Sequence, residues 1–362
     1  MEITTFEDLK NFYKDRKVLV TGYNGFKGTW LSLWLKHLGA TVFGVGLEPG
    51  KLATDVRLDS IVDGRLITDI GYDYQQLKNA MMDFQPDVVF HLAAQPLVRL
   101  SYEDPRGTYQ TNVMGTMNVL AACVAADIQS AVFITTDKCY ENNESGYPMR
   151  ETDGFGGSDP YSSSKGCCEI LIESMRRSFP ECAPYFSARA GNVIGGGDWA
   201  EDRIVPDFFR ANRNVHPLLI RNPSSVRPWQ HVLEPLYGYL LLGMRNDAKG
   251  FGVNFGPYPN EGHTVGEVVN GLNACLEEAN EVMVEITIPK QNDETKKEAK
   301  LLQLDITRAI TEIGWKPVLD FGNTIKMTAD WYRKATSPDA AFQLCEEQIN
   351  QYESLCRAFS DM

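Results

Sequence analysis

Residues 17–28, KVLVTGYNGFKG, constrain the fold of this chain more than any other stretch. The apolar, β-branched run KVLVTG (17–22) predicts a buried strand. GTWLSLWLKHLG (28–39) predicts a helix, with Trp30, Trp34, Leu35 and Leu38 at helical spacing. Gly22, Gly25 and Gly28 stand between them as G-x-x-G-x-x-G. Glycine there lets the backbone turn sharply and approach a pyrophosphate, and lets strand and helix pack closely. The helix start then offers N–H groups and partial positive charge to the phosphates. A glycine loop inside a strand–helix–strand unit predicts a dinucleotide site.

The same alternation continues. TVFGVGL (41–47), RLITDI (65–70), DVVFHLAA (87–94), AVFITTD (131–137) and GVNFG (252–256) read as strands. YQQLKNAMMDF (74–84), 111–126, 161–179 and 234–244 read as helices. Such β–α repetition predicts an α/β fold, a doubly wound parallel sheet of Rossmann type with ligands at the carboxyl ends of its strands. From about residue 192 the character changes. GNVIGGGDWAEDRIVPDFF (191–209) and IRNPSSVRPWQHV (220–232) are rich in Gly, Pro, Arg and aromatics and show little periodicity. Long irregular segments usually bind or cover something. The chain is therefore divided into a dinucleotide domain, 1–191 plus 229–256, and a smaller irregular carboxyl-terminal substrate domain, 192–228 plus 257–362. Residues 290–300, KQNDETKKEAK, read as solvated surface.

Composition narrows the function. A net charge of −13 argues against general binding to nucleic acid or an anionic membrane, which needs a basic footprint. The amino terminus lacks the apolar core of a signal peptide, and no apolar run is long enough to span a bilayer. The eight cysteines are scattered without a C-x-x-C pair and the five histidines are dispersed. These features predict reduced thiols, a cytoplasmic location and no metal site.

Several residues then acquire candidate roles. Glu48 lies some twenty positions beyond the glycine loop, where an acidic group would hold a ribose 2′-hydroxyl and repel a 2′-phosphate, so the cofactor is expected to be NAD. Asp69 and Ile70, closing the third strand, are expected beside the adenine. Tyr161 and Lys165 form Y-x-x-x-K; four residues apart on a helix they share a face. A nearby cation favours a phenolate, so Tyr161 is expected to have a lowered pKa and act as a base. Thr136 supplies a hydroxyl for the same substrate oxygen. Asp137 and Lys138 follow it directly, an abrupt polar end to a buried strand. Arg189, Arg203, Arg221 and Arg227 are planar cations suited to a diphosphate.

GYNGFKG, HLAAQP, TTDK, YSSSK and RAGNVIGGGDW together resemble the extended short-chain dehydrogenase/reductase family of nucleotide-sugar epimerases and dehydratases, over about residues 15–335. HLAAQPLVRLSYEDP, NVMGT, TTDKCY and RNPSSVRPWQHVLEPL resemble its branch that dehydrates CDP-glucose. The resemblance implies NAD held by Gly22, Asn24, Gly25, Phe26, Gly28, Leu92, Ala93, Ala94, Thr111, Tyr161 and Lys165. It also implies a nucleotide-sugar held by Gln95, Asn112, Asn192, Arg203, Arg221, Arg227 and His231, with Arg227 on the pyrophosphate and Trp199 and Trp229 near the nucleotide. The implied chemistry is a hydro-lyase cycle. C4 is oxidised with Thr136, Tyr161 and Lys165, water is lost across C5 and C6, and hydride returns to C6. Asp137 is the expected acid; Lys138 is either the C5 base or a charged stabiliser of the enolate. A dehydratase for another NDP-hexose and a C4 epimerase are the rival readings, though an epimerase needs no acid/base pair after Thr136. The helices at 111–126 and 161–179 are expected to form a homodimer or homotetramer. Lys27, in GFKG, stands where many relatives have an apolar residue.

Overall fold

The computed structural model describes residues 5–142, 146–179, 181–247, 250–259, 261–288 and 302–360; the 290–300 surface segment lies outside them. Seven strands make one sheet: β1 Lys17–Thr21, β2 Thr41–Gly46, β3 Gly64–Ile67, β4 Val88–His91, β5 Ser130–Thr136, β6 Tyr185–Ala190 and β7 Gly252–Phe255. Their order is β7-β6-β5-β4-β1-β2-β3, and every neighbouring pair is parallel. The order reverses between β1 and β4, which opens a crevice at their carboxyl ends.

Side-chain alternation divides the core. Val18, Val20, Val88, Phe90, Val132 and Phe186 enter one apolar cluster, while Leu19, Val89, Ala131, Phe133 and Tyr185 enter the other. Successive residues of a strand point to opposite faces, so both faces need a helical cover. Helices α1 (Phe26–His37), α2 (Tyr74–Phe84), α3 (Gly115–Ala126), α4 (Pro160–Ser178) and α6 (Leu233–Gly243) provide it, α6 lying beyond the helix α5, Ile204–Asn214. The doubly wound sheet expected from the sequence is the observed fold.

Element ends differ in informative ways. The strand expected over 87–94 stops at His91, and Leu92–Ala94 form a loop along the crevice. The helix expected from 111 begins with a π-turn, Gln110–Met114, ahead of α3. The segment 191–209, read as irregular, contains the start of α5, whose Val205, Phe208 and Phe209 are buried. Its apolar residues fall on one helical face, but the Gly-rich run before it obscures that spacing.

The carboxyl-terminal region adds α7 (Val265–Glu278), α8 (Phe321–Lys334) and α9 (Pro338–Ser360). Three two-residue strand pairings hold its irregular segments: Val193–Ile194 with Gln230–His231, Val226–Arg227 with His263–Thr264, and Leu218–Leu219 with Ile286–Thr287. Helix α9 packs on both units: Gln348 Nε2 donates to Met327 O of α8 at 2.8 Å, and α1 lies on its other side. Tyr352 of α9 meets Trp34 of α1 edge-on at 5.6 Å, and Trp34 Nε1 donates to Glu353 Oε1 at 2.9 Å. The broad apolar surface of α1, with both tryptophans fully buried, requires that cover. Among the described residues no helix is long and apolar enough to cross a membrane, and no cluster of His, Cys, Asp and Glu is placed to hold a metal.

Candidate active site

A cleft of about 1080 Å³ opens at the carboxyl ends of the strands. Its first wall is backbone. Gly22 has φ +67°, and a Cβ there would lie 2.6 Å from Ala93 N; a Cβ on Gly28 would lie 1.9 Å from Gly22 O. Both positions therefore exclude any side chain. Thr21 O and Oγ1 accept from Leu92 N (3.0 Å) and Ala93 N (3.3 Å), which brings the loop after β4 against the glycine loop. Asn24 Nδ2 donates to Leu47 O at 2.5 Å and ties the same loop to the end of β2. Helix α1 starts from Gly25 with no side-chain cap, so its first N–H groups face the cleft. Close backbone approach and an uncapped helix start fit the pyrophosphate of a dinucleotide. Phe26, Asp69, Ile70, Ala94 and Thr111 also line this end. Glu48 stands exposed on the bend after β2, between Leu47 and Gly50, which line the cleft, while its own side chain is not part of the lining.

The second wall carries the acid/base candidates. Thr136, Asp137, Lys138, Tyr161 and Lys165 all line the cleft. Thr136 closes β5, and a 3₁₀ turn, Asp137–Cys139, begins there with Thr136 Oγ1 accepting from Lys138 N. Thr136 Oγ1 also donates to Asp137 Oδ1 at 2.9 Å, while the buried Asp137 Oδ2 has no hydrogen-bond partner among the described residues. Burial raises the Asp137 pKa, opposed by the Lys138 charge, the Thr136 hydrogen bond and the Arg227 charge. The net shift is toward the protonated form, the direction an acid requires.

Helix α4 presents Tyr161 and Lys165 to the same space. Lys165 Nζ donates to Ile134 O at 3.2 Å, and burial lowers its pKa. The expected lowering of the Tyr161 pKa is not observed. Burial pushes the phenol up to about 12, outweighing the Thr136 hydrogen bond and the Arg203 charge. The Arg203 charge, from the second half of the chain, acts on Tyr161, and the Lys165 ammonium donates to the Ile134 carbonyl.

The substrate candidates separate. Asn192, Arg203, Arg221 and Arg227 reach the cleft, as do Trp199 and Trp229. Arg227 is buried, Arg203 pairs with Asp198 at 2.8 Å, and Arg221 meets Asp202 at 3.4 Å. Gln95, Asn112 and His231 are behind the wall. Gln95 N donates to Asn112 Oδ1 (2.8 Å), and its Nε2 donates to Leu97 O and Thr108 Oγ1. Asn112 Nδ2 donates to Ser164 Oγ (2.9 Å) and Gln95 O. Both amides are consumed in bracing the loop after β4 against α4. His231 is fully buried beside Trp30, and burial pulls its pKa down to about 3. Arg189 is also absent from the cleft; it is paired with Glu169 inside the protein.

Lys27 lines the cleft beside the redox candidates, its Nζ 3.4 Å from Tyr239 Oη. Burial, then the charges of Arg203 and Lys165, lower its pKa to about 7. Asp198 was missed by sequence reasoning, although its place in GGGDW among the motif residues is a signal that could have singled it out.

Comparison with known proteins agrees with this geometry. The family model for GDP-mannose 4,6-dehydratase matches residues 19–328. A CDP-glucose 4,6-dehydratase of Salmonella typhimurium is 41% identical, covering 95% of this chain and 98% of the relative. Among solved structures, an epimerase from Methanothermobacter thermautotrophicus superimposes with TM-score 0.78 at 23% identity, over 96% of this chain and 99% of that one. A Thermus thermophilus UDP-glucose 4-epimerase in complex with NAD gives 0.75 at 26%, over 88% and 100%. With its glycine cradle, its Tyr–Lys helix and a family match across most of its length, the chain belongs to the GDP-mannose 4,6-dehydratase family of the extended short-chain dehydrogenases/reductases.

Proposed function

We propose that the protein converts CDP-glucose to CDP-4-keto-6-deoxyglucose, removing one water across C5 and C6 with no net redox change. The observation that carries this reading is Asp137. It is a buried carboxyl with a raised pKa and an unpartnered oxygen, one residue beyond Thr136 on the wall shared with Tyr161. A C4 epimerase has no use for such an acid. The choice of CDP follows the Salmonella relative.

NAD is the proposed cofactor, lying along Gly22, Asn24, Gly25, Phe26 and Gly28, with Asp69, Ile70, Leu92–Ala94 and Thr111 beside it. When bound there, NAD would supply the acceptor for the C4 hydride and its donor back to C6, and its cationic ring would favour a phenolate nearby. Thr136 and Tyr161 hold the C4 hydroxyl, and Tyr161 takes its proton. With its pKa at about 12, Tyr161 depends on positive charge gathered around it, from Arg203 and from Lys165 one helical turn away. The 4-ketone then acidifies the C5 proton. Lys138 either takes that proton, or stays charged and stabilises the enolate while another group accepts the proton. Asp137 protonates the departing C6 hydroxyl, so that water leaves rather than hydroxide. Arg227, buried against the same cleft, holds the diphosphate, with Arg203, Arg221 and Asn192 at its flanks.

The enzyme is proposed to act in the cytoplasm as a homodimer or dimer of dimers through α3 and α4, where Val124 and Ile170 are exposed. A monomer in light scattering would remove that part of the reading.

Incubation with CDP-glucose and NAD, followed by alkaline ultraviolet absorbance of the 4-ketone, tests the reaction. Parallel runs with dTDP-, UDP- and GDP-glucose test the base. A C4-inverted sugar without ketone would establish an epimerase instead. Turnover of only another nucleotide would replace CDP and keep the chemistry. Lys138→Met separates its two roles: C5 proton exchange persisting in the variant assigns the base elsewhere.

A further inference from the structure

Behind the wall that carries Thr136, Asp137 and Lys138 lies a buried ion pair that touches neither the cleft nor the reacting atoms. The Arg189 side chain on β6 is 3% exposed and the Glu169 side chain on α4 is 1% exposed. Arg189 Nε donates to Glu169 Oε1 at 2.9 Å and Nη2 to Oε2 at 2.8 Å, a bidentate fork. Each carboxylate oxygen takes one further bond, from Thr135 Oγ1 (2.5 Å) and Ser187 Oγ (2.8 Å). The remaining Arg189 nitrogen, Nη1, donates to Tyr140 Oη at 2.6 Å, and Tyr140 donates to Asn254 Oδ1 on β7 at 2.7 Å. Burial works to raise the Glu169 pKa, but the Arg189 charge and these hydrogen bonds outweigh it and hold the group ionised.

A buried ion pair is a weak source of stability, because desolvation offsets most of the attraction. What this pair does have is position. Thr135 directly precedes Thr136–Asp137–Lys138 and Tyr140 directly follows Cys139, so the pair grips both ends of the turn. Glu169 also lies four residues beyond Lys165 and eight beyond Tyr161, on the same face of α4. Asp137 is held only from within its own turn, by the Thr136 hydroxyl and the Lys138 backbone N–H, and its Oδ2 has no hydrogen-bond partner among the described residues. The direction of the acid is therefore set by the backbone of the turn.

We propose that Glu169 and Arg189 are positioning residues that lock the turn carrying Thr136, Asp137 and Lys138 against the helix carrying Tyr161 and Lys165. The inference rests on the dehydratase reading, since it is that reaction which needs both groups aimed at one sugar. An error of about 1 Å in such an arrangement costs up to about 100-fold in rate.

Thr135→Val, Glu169→Gln, Arg189→Lys and Arg189→Met, each in the full chain, test it. The measurements are thermal unfolding, kcat and KM for CDP-glucose, and oxidation of CDP-6-deoxyglucose, which has no C6 hydroxyl to lose. The expected result is kcat reduced about tenfold in Thr135→Val and about 100-fold in Glu169→Gln, with KM within about twofold. Arg189→Lys, which keeps the charge, should retain more rate than Arg189→Met. Rates within about twofold of wild type in both Thr135→Val and Glu169→Gln, measured well below their unfolding temperatures, would overturn the proposal. If Glu169→Gln does not fold, Thr135→Val decides alone, since it removes one hydroxyl at constant shape. A wild-type protein that oxidises the 6-deoxy sugar without dehydrating CDP-glucose would overturn the dehydratase reading. The variants are then ranked on the oxidation rate by the same thresholds. Inertness towards both sugars would overturn both.

Discussion

The two ends of the cleft are built from different materials. At the glycine loop the wall is main chain: Gly22 and Gly28 leave no room for a Cβ, and the start of α1 is left uncapped. At the opposite end the wall is long cations: Arg203 at the start of α5, and Arg221 and Arg227 from segments held by two-residue strand pairs. The first end is specified by steric exclusion, which a local sequence can encode. The second is specified by charge and reach, which depends on where distant segments meet. Damage should accordingly be all-or-none at one end and graded at the other.

The largest effect is expected from Gly28→Val. Its Cβ would fall 1.9 Å from the Gly22 carbonyl oxygen, which no rotamer can relieve. Loss of NAD binding by at least about 100-fold, with about 1–3 kcal/mol lost in stability, is expected in calorimetry and urea unfolding. Near-normal affinity would break the claim that this end is a backbone cradle.

At the other end Arg227→Met should leave a folded protein with a substrate KM raised about tenfold or more, because a charged hydrogen bond is worth about 1.5–3 kcal/mol. Arg221, exposed and paired with Asp202, should matter less, and Arg221→Met is expected to raise KM about threefold or less. Equal losses in both variants would erase the gradation.

Lys27→Met probes the meeting point of the two ends. The Lys27 pKa is lowered to about 7, chiefly by burial. The unfolded chain therefore binds more protons between that pH and the ordinary lysine value, and wild-type stability rises as pH rises through that window. Lys27→Met removes the cost. Its melting temperature should exceed wild type by more at pH 7 than at pH 10, and a pH-independent difference would contradict the burial argument.

The smallest effect belongs to Glu48→Gln. With the carboxylate exposed and off the cleft wall, NAD affinity should change by less than about threefold. A tenfold loss would return Glu48 to the ribose.

What is legible in the sequence follows from the same distinction. The strand–loop–helix unit and the parallel β–α alternation depend on local spacing and are found as expected; β6, Tyr185–Ala190, was not among the expected strands, and the order of the sheet is set by tertiary pairing. Gln95, Asn112 and His231 sit inside motifs, yet their side chains face inward, because a motif constrains a position and not the direction in which its polar atoms find partners. Arg189 is the plainest case: from its segment it looked like a ligand for phosphate, and the fold gives it a buried carboxylate instead.

By itself the sequence determined where glycine is obligatory, where apolar residues alternate, and that a hydroxyl, a carboxyl and an amine follow one another at the end of β5. Those are properties of neighbouring residues, governed by local sterics and periodicity. Tertiary structure alone decided that the Arg203 charge acts on Tyr161, that Glu48 is exposed between two residues that line the cleft, and that Glu169 and Arg189 grip the turn from behind. These depend on contacts between distant residues, such as Arg189 with Tyr140, 49 positions away, and on burial, which raises the pKa of Asp137 and of Tyr161 without leaving any mark in their own neighbours along the chain.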